Sequence, residues 1–217
     1  MNIPFRLAMT CRSTIVALRC SCGFAAHPVR GIPFYSLGAR NLMHEFSELV
    51  LYSTAFSLNA LDTAQHVVLD ELENRASTPL IKVVQMIQLQ KNISAVGMFS
   101  MFEAVLQEKL ECADGFRAAN ELLESHKKIS LRERFVELQQ AINVLKHGKG
   151  RSYDALVAKA DSLPFRIKRP GEYFFDEGHV SEIAALVEVD DEFVLLCAEI
   201  ITAVSDFIQK ACHNDRV

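Results

Sequence analysis

Long runs of apolar residues spaced three or four positions apart constrain the fold more than any other feature of this sequence. Such spacing places the apolar side chains on one face of an α-helix, and that face is stable only when it is buried. The pattern predicts four long and two short helices, over residues 42–73, 78–112, 116–126, 130–147, 153–160 and 190–212. Because the breaks between them are mostly short, neighbours should run antiparallel. We therefore expect an all-α, up-and-down helical bundle.

In the first predicted helix, apolar residues at helical spacing include Leu49, Val50, Phe56 and Val68. We interpret them as one stripe that faces the core. The phenylalanines of later helices, Phe99 and Phe102 among them, are likewise interpreted as core residues because they stand inside such stripes.

Residues at the breaks predict where several helices begin and end. Thr78 followed by Pro79 predicts the start of the second helix. A Ser-x-x-Glu capping box that begins at Ser130 predicts another helix start, and Gly148 stands where a C-cap glycine is expected. Gly97 lies inside the second helix, where glycine costs about 1 kcal/mol relative to alanine. It indicates a close helix crossing or a kink.

The segment 163–189 departs from the helical pattern. Pro164, Pro170 and Gly171 interrupt it, and three short runs between them favour extended structure. We expect a small extended or β-hairpin insertion here, within a bundle domain that spans residues 42–213.

The first 41 residues have a different composition. They contain five arginines and neither aspartate nor glutamate, and they lack a sustained helical or strand period. Three interpretations stay open: a flexible arm, a targeting segment such as an organelle transit peptide, or a mis-annotated stretch upstream of a translation start at Met43. The remaining residues hold 18 basic and 27 acidic side chains, a net charge of −9. Such a body repels polyanions, so contact with a nucleic acid would need a local basic patch.

The cysteines and the longest apolar run exclude several classes of protein. Six scattered cysteines show no Cys-x-x-Cys spacing, so we expect neither a disulfide framework nor a metal site, and no cofactor. Cys112 and Cys197 should be reduced core residues, as in a cytoplasmic protein. The run 49–69 contains Asn59, Asp62 and other polar residues, which argues against a span of the membrane.

The strongest candidate for a site is the stretch AINVLKHGKGRS, residues 141–152. Asn143 and His147 are four positions apart and therefore share one helical face. Lys146, Lys149 and Arg151 add positive charge that could hold a phosphate. Alternatively, His and Lys simply favour the C-terminal end of a helix, where they interact with the macrodipole. The string GKGRS lacks P-loop spacing and follows a helix, so we do not expect nucleotide binding.

Through Asn143-Val144-Leu145-Lys146-His147 the sequence resembles the HEPN superfamily, helical bundles that often act as ribonucleases in bacterial defence and toxin systems. The run is similar to the family's Arg-Asn-x-x-x-His pattern. An earlier helix with Phe99, Phe102 and Glu103 resembles the family's first core pair, so the resemblance covers roughly residues 42–212. It departs from the pattern at one point: Gln140, Ala141 and Ile142 occupy the positions where active members carry arginine.

The resemblance implies that His147 could act as general base or acid at a ribose 2′-hydroxyl. Arg151, or an arginine of a dimer partner, would have to stabilise the transition state. Glu103 could support the His147 region or form a structural bond. The leading hypothesis is a homodimeric protein that binds RNA or a partner protein in a defence or toxin-antitoxin setting, with weak or no ribonuclease activity. The alternatives are a non-enzymatic interaction module and an active metal-independent endoribonuclease.

Overall fold

The computed structural model describes residues 42–75, 77–174, 183 and 185–214. Its helices are α1 (Leu42–Asn74), α2 (Thr78–Leu110), α3 (Gly115–Ser125), α4 (Ile129–His147), α5 (Arg151–Val157) and α6 (Asp191–Asn214), with a short 3-10 turn at Ala160–Ser162. The described part is thus predominantly helical, and the prediction of an all-α fold is confirmed. The predicted N-terminal arm, residues 1–41, lies outside the described residues.

The two longest helices, α1 and α2, lie side by side, and α6 packs against both of them. Helix α2 also contacts α3 and α4, while α5 folds back on α4. At the centre, Phe135 of α4 lies among three aromatic rings, with centroid distances of 6.3 Å to Phe99, 6.0 Å to Phe102 and 5.6 Å to Phe116. These separations suit edge-to-face and offset ring packing. Phe99 and Phe102 are core residues, as predicted.

Two helix starts differ from the prediction. The N-cap position of α2 is Ser77 rather than Thr78, without a hydrogen bond from the Ser77 side chain, and Pro79 lies in the first turn. Helix α4 begins at Ile129, with Lys128 at the N-cap and no side-chain cap, so the capping box predicted at Ser130 is wrong. The helix begins one residue before Ser130, after a tight turn in which Lys128 donates its backbone N–H to the carbonyl of Leu123 at 2.9 Å. Ser130 therefore lies in the first turn of α4 and not at its N-cap.

Other helix starts follow the sequence pattern. The side chain of Asp114 accepts the backbone N–H of Arg117 at 2.9 Å and so caps α3. Asp190 accepts the N–H of Phe193 at 2.8 Å, just before α6. An aspartate thus caps the last helix, whose first turn also carries the acidic residues Asp191 and Glu192 that the macrodipole favours.

The described part of the predicted insertion shows no hairpin. Among the described residues, Ile167 and Val187 form a single antiparallel bridge, and no strand is present. Lys168 N–H donates to the carbonyl of Leu186 at 2.8 Å beside that bridge. Residues 175–182 and 184, which would complete a hairpin, lie outside the described part. The Tyr153 hydroxyl donates to the carbonyl of Lys168 at 2.9 Å and so holds the insertion against α5.

The apolar stripe of α1 was predicted only in part. Val50 and Val68 are buried, whereas Leu49 and Phe56 are 66% and 78% exposed. The core-facing stripe also includes Thr54, which is only 4% exposed. Helix α1 therefore carries apolar residues on two faces, of which one packs against the bundle.

The close approach predicted at Gly97 occurs at another glycine. Among the described residues, a Cβ atom built on Gly97 has no neighbour within 4 Å, so the prediction of a close helix crossing there is wrong for this part of the chain. At Gly115 a Cβ would lie 2.7 Å from the carbonyl oxygen of Glu103 and 2.8 Å from the Cβ of Leu106. The first turn of α3 thus packs directly on the backbone of α2, which requires glycine at that position.

These two glycines should respond in opposite ways to alanine. We expect Gly97→Ala to raise the free energy of unfolding by about 0.5 to 1 kcal/mol, because alanine favours the helix and meets open space. Gly115→Ala should lower it by about 1 to 3 kcal/mol, because α3 must move away from α2. Urea unfolding followed by circular dichroism measures both variants. A Gly115→Ala protein as stable as the wild type would contradict this packing.

The three described cysteines are all free thiols, and they differ in access. Cys197 on α6 is fully buried, and burial raises the pKa of its thiol far above the ordinary value. Because the thiolate is the reactive form, Cys197 should resist iodoacetamide in the native protein and react once urea unfolds it. Peptide mass spectrometry checks this, with the half-buried Cys112 and Cys212 as internal comparisons. Rapid native alkylation of Cys197 would contradict its placement.

Candidate functional site

Helix α4 ends where the sequence predicted. Gly148 has a φ of +73°, and its N–H donates to the carbonyl of Val144 at 2.8 Å. A positive φ is a conformation that glycine adopts at little cost, so this residue closes the helix and reverses the chain. Residues 148–150 then lead directly into α5.

A lysine and a glutamate fix the direction of the returning chain. Lys159, just after α5, places its Nζ 2.9 Å from the carboxylate of Glu137 on α4. The chain has therefore run back along α4 by the time it reaches Lys159. Arg151, the first residue of α5, consequently lies at the same end of the molecule as His147.

The structure brings five of the predicted site residues to this end, which we call the α4–α5 corner: Asn143, Lys146, His147, Lys149 and Arg151. All five are exposed. Within the described residues, none of their side chains forms a hydrogen bond or an ion pair. The corner therefore presents an imidazole, an amide, two ammonium groups and a guanidinium to solvent, with no internal carboxylate neutralising them.

The opposite face of α4 explains why these residues point outward. Ala141, Ile142 and Val144 are 0%, 4% and 2% exposed and belong to the core. On the helical wheel, Asn143 and His147 lie on the side opposite to these three buried residues, and that side faces solvent. The shared face predicted for Asn143 and His147 is thus an exposed one.

The burial of this side of α4 also affects the positions where the HEPN pattern has an arginine that this sequence lacks. Of the positions where the HEPN pattern has arginine, Ala141 and Ile142 face the core and Gln140 is half-buried. Arg134 is exposed but stands thirteen residues before His147, about 20 Å along the helix axis. Arg151 is the arginine that the described structure places at the corner.

Glu103 is positioned differently from the other site residues. It is half-buried on α2, and its carbonyl packs against Gly115 at the start of α3. No hydrogen bond or ion pair in the described part of the chain joins its carboxylate to His147. Its supporting role stays a prediction.

No protein-family model, curated protein or solved structure matches this chain. The resemblance to the HEPN superfamily therefore rests on its own residues, chiefly Asn143 to His147 and the order of the helices.

A second basic group, Arg166, Lys168 and Arg169, is engaged elsewhere. Arg166 donates to the carbonyl of Tyr173 at 3.0 Å, and Lys168 Nζ lies 4.6 Å from the centroid of the Phe174 ring. Arg169 pairs with a carboxylate, that of Asp161. These contacts hold the insertion together, so this group does not extend the corner as a set of unpaired cations.

The described part of the chain contains no cluster of three His, Cys, Asp or Glu side chains able to hold a metal ion. It also contains no helix with the length and hydropathy that crossing a bilayer requires.

One buried charge was missed by sequence reasoning. Lys91 of α2 is 8% exposed, and its Nζ lies 2.7 Å from the carboxylate of Asp191 at the start of α6 and 3.4 Å from the amide oxygen of Gln65 on α1. The available signal was a lysine inside the core stripe between Ile87 and Ala95. Its contacts tie three helices together, which is a structural role.

Proposed function

We propose that this protein binds RNA through the α4–α5 corner, as a HEPN-like bundle with weak or no ribonuclease activity. The observation that carries the proposal is the set of exposed corner residues without internal partners. A lysine or arginine that is already exposed and unpaired can meet a phosphate without breaking an ion pair. RNA binding also releases the counterions condensed on the phosphates, which supplies most of the affinity of such contacts.

The charge of the residues after Arg40 limits where RNA can bind to them. They carry a net charge of −9, from 18 basic and 27 acidic side chains. Long-range repulsion disfavours a polyanion over most of this body, so contact needs a local basic patch such as the corner, where Lys146, Lys149 and Arg151 lie close in sequence. Asn143 adds an amide that can donate to phosphate or to a base edge.

The corner holds half of the groups needed for cleavage. His147 is exposed and can exchange a proton with a ribose 2′-hydroxyl. Stabilising the negative charge of the transition state requires a fixed cation close to the phosphate. Arg151 is a cation at the corner, but no hydrogen bond within the described residues fixes its side chain. We therefore expect the protein to bind RNA with little or no cleavage. If bound RNA holds the Arg151 side chain in place, the protein is instead an active metal-independent endoribonuclease.

The resemblance also supports a homodimer in a defence or toxin-antitoxin setting. The second candidate function, a non-enzymatic interaction module, has support of its own. Large apolar side chains are exposed on α1 and α2. Exposed apolar patches are common where proteins bind one another.

The test of RNA binding is fluorescence anisotropy with a short labelled single-stranded RNA of mixed sequence. The double variant Lys146→Glu/Lys149→Glu should weaken binding at least about tenfold, and the affinity of the wild type should fall as salt rises. Lys127→Glu changes an equally exposed lysine at the turn between α3 and α4 and serves as the matched control. Equal affinity of the wild type and the double variant would overturn the proposal.

Cleavage is measured on the same RNA in EDTA with wild type, His147→Ala and Arg151→Ala. We expect little or no cleavage by any of the three proteins. Metal-independent cleavage that both variants abolish would establish the enzyme instead, with His147 and Arg151 as its catalytic residues.

A further inference from the structure

Helix α1 exposes a second apolar face along its length. Leu49, Tyr52 and Phe56 are 66%, 52% and 78% exposed, and Val67 is 56% exposed. These residues follow one another at spacings of three, four and eleven positions, so they lie on one side of the helix. Val50 and Leu58 on its core side are 6% and 8% exposed. The exposed apolar residues are thus separate from the face that holds the fold together, and the polar residues Asn59 and Thr63 stand among them between Phe56 and Val67.

Helix α2 has a similar exposed face. Met86, Ile93 and Met101 are 64%, 54% and 59% exposed and stand at spacings of seven and eight positions. Leu89 is 50% exposed and flanks them. The core residues of α2, such as Phe99, lie on the other side of this helix.

The two exposed faces belong to one surface. Lys91 of α2 reaches Gln65 of α1, and Phe102 stacks on Phe46 with ring centroids 6.1 Å apart, so the two helices run antiparallel side by side. Helix α6 covers the inner side of this pair. Both apolar stripes point away from that side. We call this surface the α1–α2 outer face, defined by Leu49, Tyr52, Phe56, Val67, Met86, Leu89, Ile93 and Met101.

Gly97 lies in the middle of the α2 stripe, four positions after Ile93 and four before Met101. No atom of the described part of the chain comes within 4 Å of a Cβ atom placed there. The residue therefore lowers the stability of a long helix by about 1 kcal/mol without an internal packing reason. A glycine on an apolar helix face lets the backbone of another helix approach closely. A helix from a partner protein would therefore account for glycine at position 97.

The charges on α1 indicate the chemistry of what binds there. The helix contains six acidic residues and neither lysine nor arginine. Glu45 precedes Leu49 by four positions and Asp70 follows Val67 by three, so carboxylates stand at both ends of the apolar stripe. Of the three lysines of α2, Lys82 is exposed and stands four positions before Met86. The negative charge of α1 disfavours binding to a membrane of anionic lipids and to the α1 of a second copy. It favours binding to a basic partner.

We infer that the α1–α2 outer face binds an amphipathic helix of a partner protein, with an apolar side that packs along Gly97 and with lysine or arginine at both of its ends. The length of the face supports this form of partner, because Leu49 to Val67 covers about 27 Å of α1 and Met86 to Met101 about 23 Å of α2, the length of a helix of four to five turns. Helix-in-groove recognition uses anchors at spacings of three, four and seven residues, which match those of the face. This site is distinct from the α4–α5 corner and does not depend on RNA binding.

The probe is a labelled synthetic helix of leucine, alanine and glutamine with leucines at helical spacing and lysines at both ends. A second peptide has glutamates in place of the lysines. Anisotropy with the full chain should show binding of the lysine peptide at least about tenfold tighter than binding of the glutamate peptide. Phe56→Ala should weaken it at least about tenfold, as expected for a central aromatic anchor.

Two further variants separate docking from folding. Gly97→Leu should keep or raise the unfolding free energy, since leucine favours a helix, and should abolish peptide binding by blocking close approach. Ile129→Ala removes an exposed apolar side chain, 46% exposed, outside the face and should leave binding unchanged. Circular dichroism confirms the helical content of each protein.

Several results would overturn this inference. They are failure of the wild type to bind the lysine peptide, equal binding of both peptides, and full binding by Gly97→Leu. Light scattering that shows a dimer dissociated by Phe56→Ala would assign the face to a second copy. Sedimentation with anionic phospholipid vesicles, lost in Phe56→Ala, would assign it to a membrane.

Discussion

Replacing Phe135 by alanine is expected to lower the free energy of unfolding by about 3 to 5 kcal/mol. The side chain is fully buried at the point where α2, α3 and α4 meet. Its removal takes away ring contacts with Phe99, Phe102 and Phe116 and leaves a cavity that rigid helices cannot close. Urea denaturation followed by circular dichroism measures the loss.

The matched control is Leu195→Ala on α6, because Leu195 is 42% exposed. This variant should change the unfolding free energy by less than about 1 kcal/mol. If Phe135→Ala were equally mild, the aromatic cluster would not be the centre of the core.

Ile142→Arg is expected to be as damaging, although it restores the arginine of the HEPN pattern. Ile142 is 4% exposed, so the guanidinium would enter the core without a carboxylate to pair with it. Burying an unpaired charge costs several kcal/mol, and we expect a loss of roughly 3 kcal/mol or more in the free energy of unfolding. Thermal unfolding should show a large drop in Tm, with no gain in RNA cleavage.

Asn143→Arg adds the same side chain one position later, where the helix is exposed. It should change stability by about 0.5 kcal/mol or less. A stable, folded Ile142→Arg protein that cleaves RNA would contradict the account of this helix, because position 142 would then face the substrate and not the core.

The helices could be predicted because their apolar spacing and their breaks agree. Every predicted helix is present, and the start of α1 and the end of α4 fall where the sequence placed them. The capping box at Ser130 was wrong because α4 begins at Ile129, which places Ser130 inside the first turn of the helix. The core side of α1 could not be predicted reliably, because Leu49 and Phe56 form a second stripe as apolar as the buried one.

The candidate site was predictable in location but not in detail. The spacing of Asn143 and His147 showed that they share a face, and the structure adds that the face is exposed. A sequence does not show which cations are paired internally. The hydrogen bond from Arg166 to the carbonyl of Tyr173 therefore could not be predicted. The place of Glu103 depends on the crossing of α2 and α3 at Gly115, a tertiary contact without a local pattern.

The most direct test of RNA binding at the corner maps the surface that RNA touches. Amide spectra of the isotope-labelled full chain, recorded by nuclear magnetic resonance during titration with single-stranded RNA, report on each residue. We predict the largest shifts at residues 143–151, absent in Lys146→Glu/Lys149→Glu and retained in Phe56→Ala. Shifts concentrated on other helices, with residues 143–151 unchanged at saturation, would contradict the proposal.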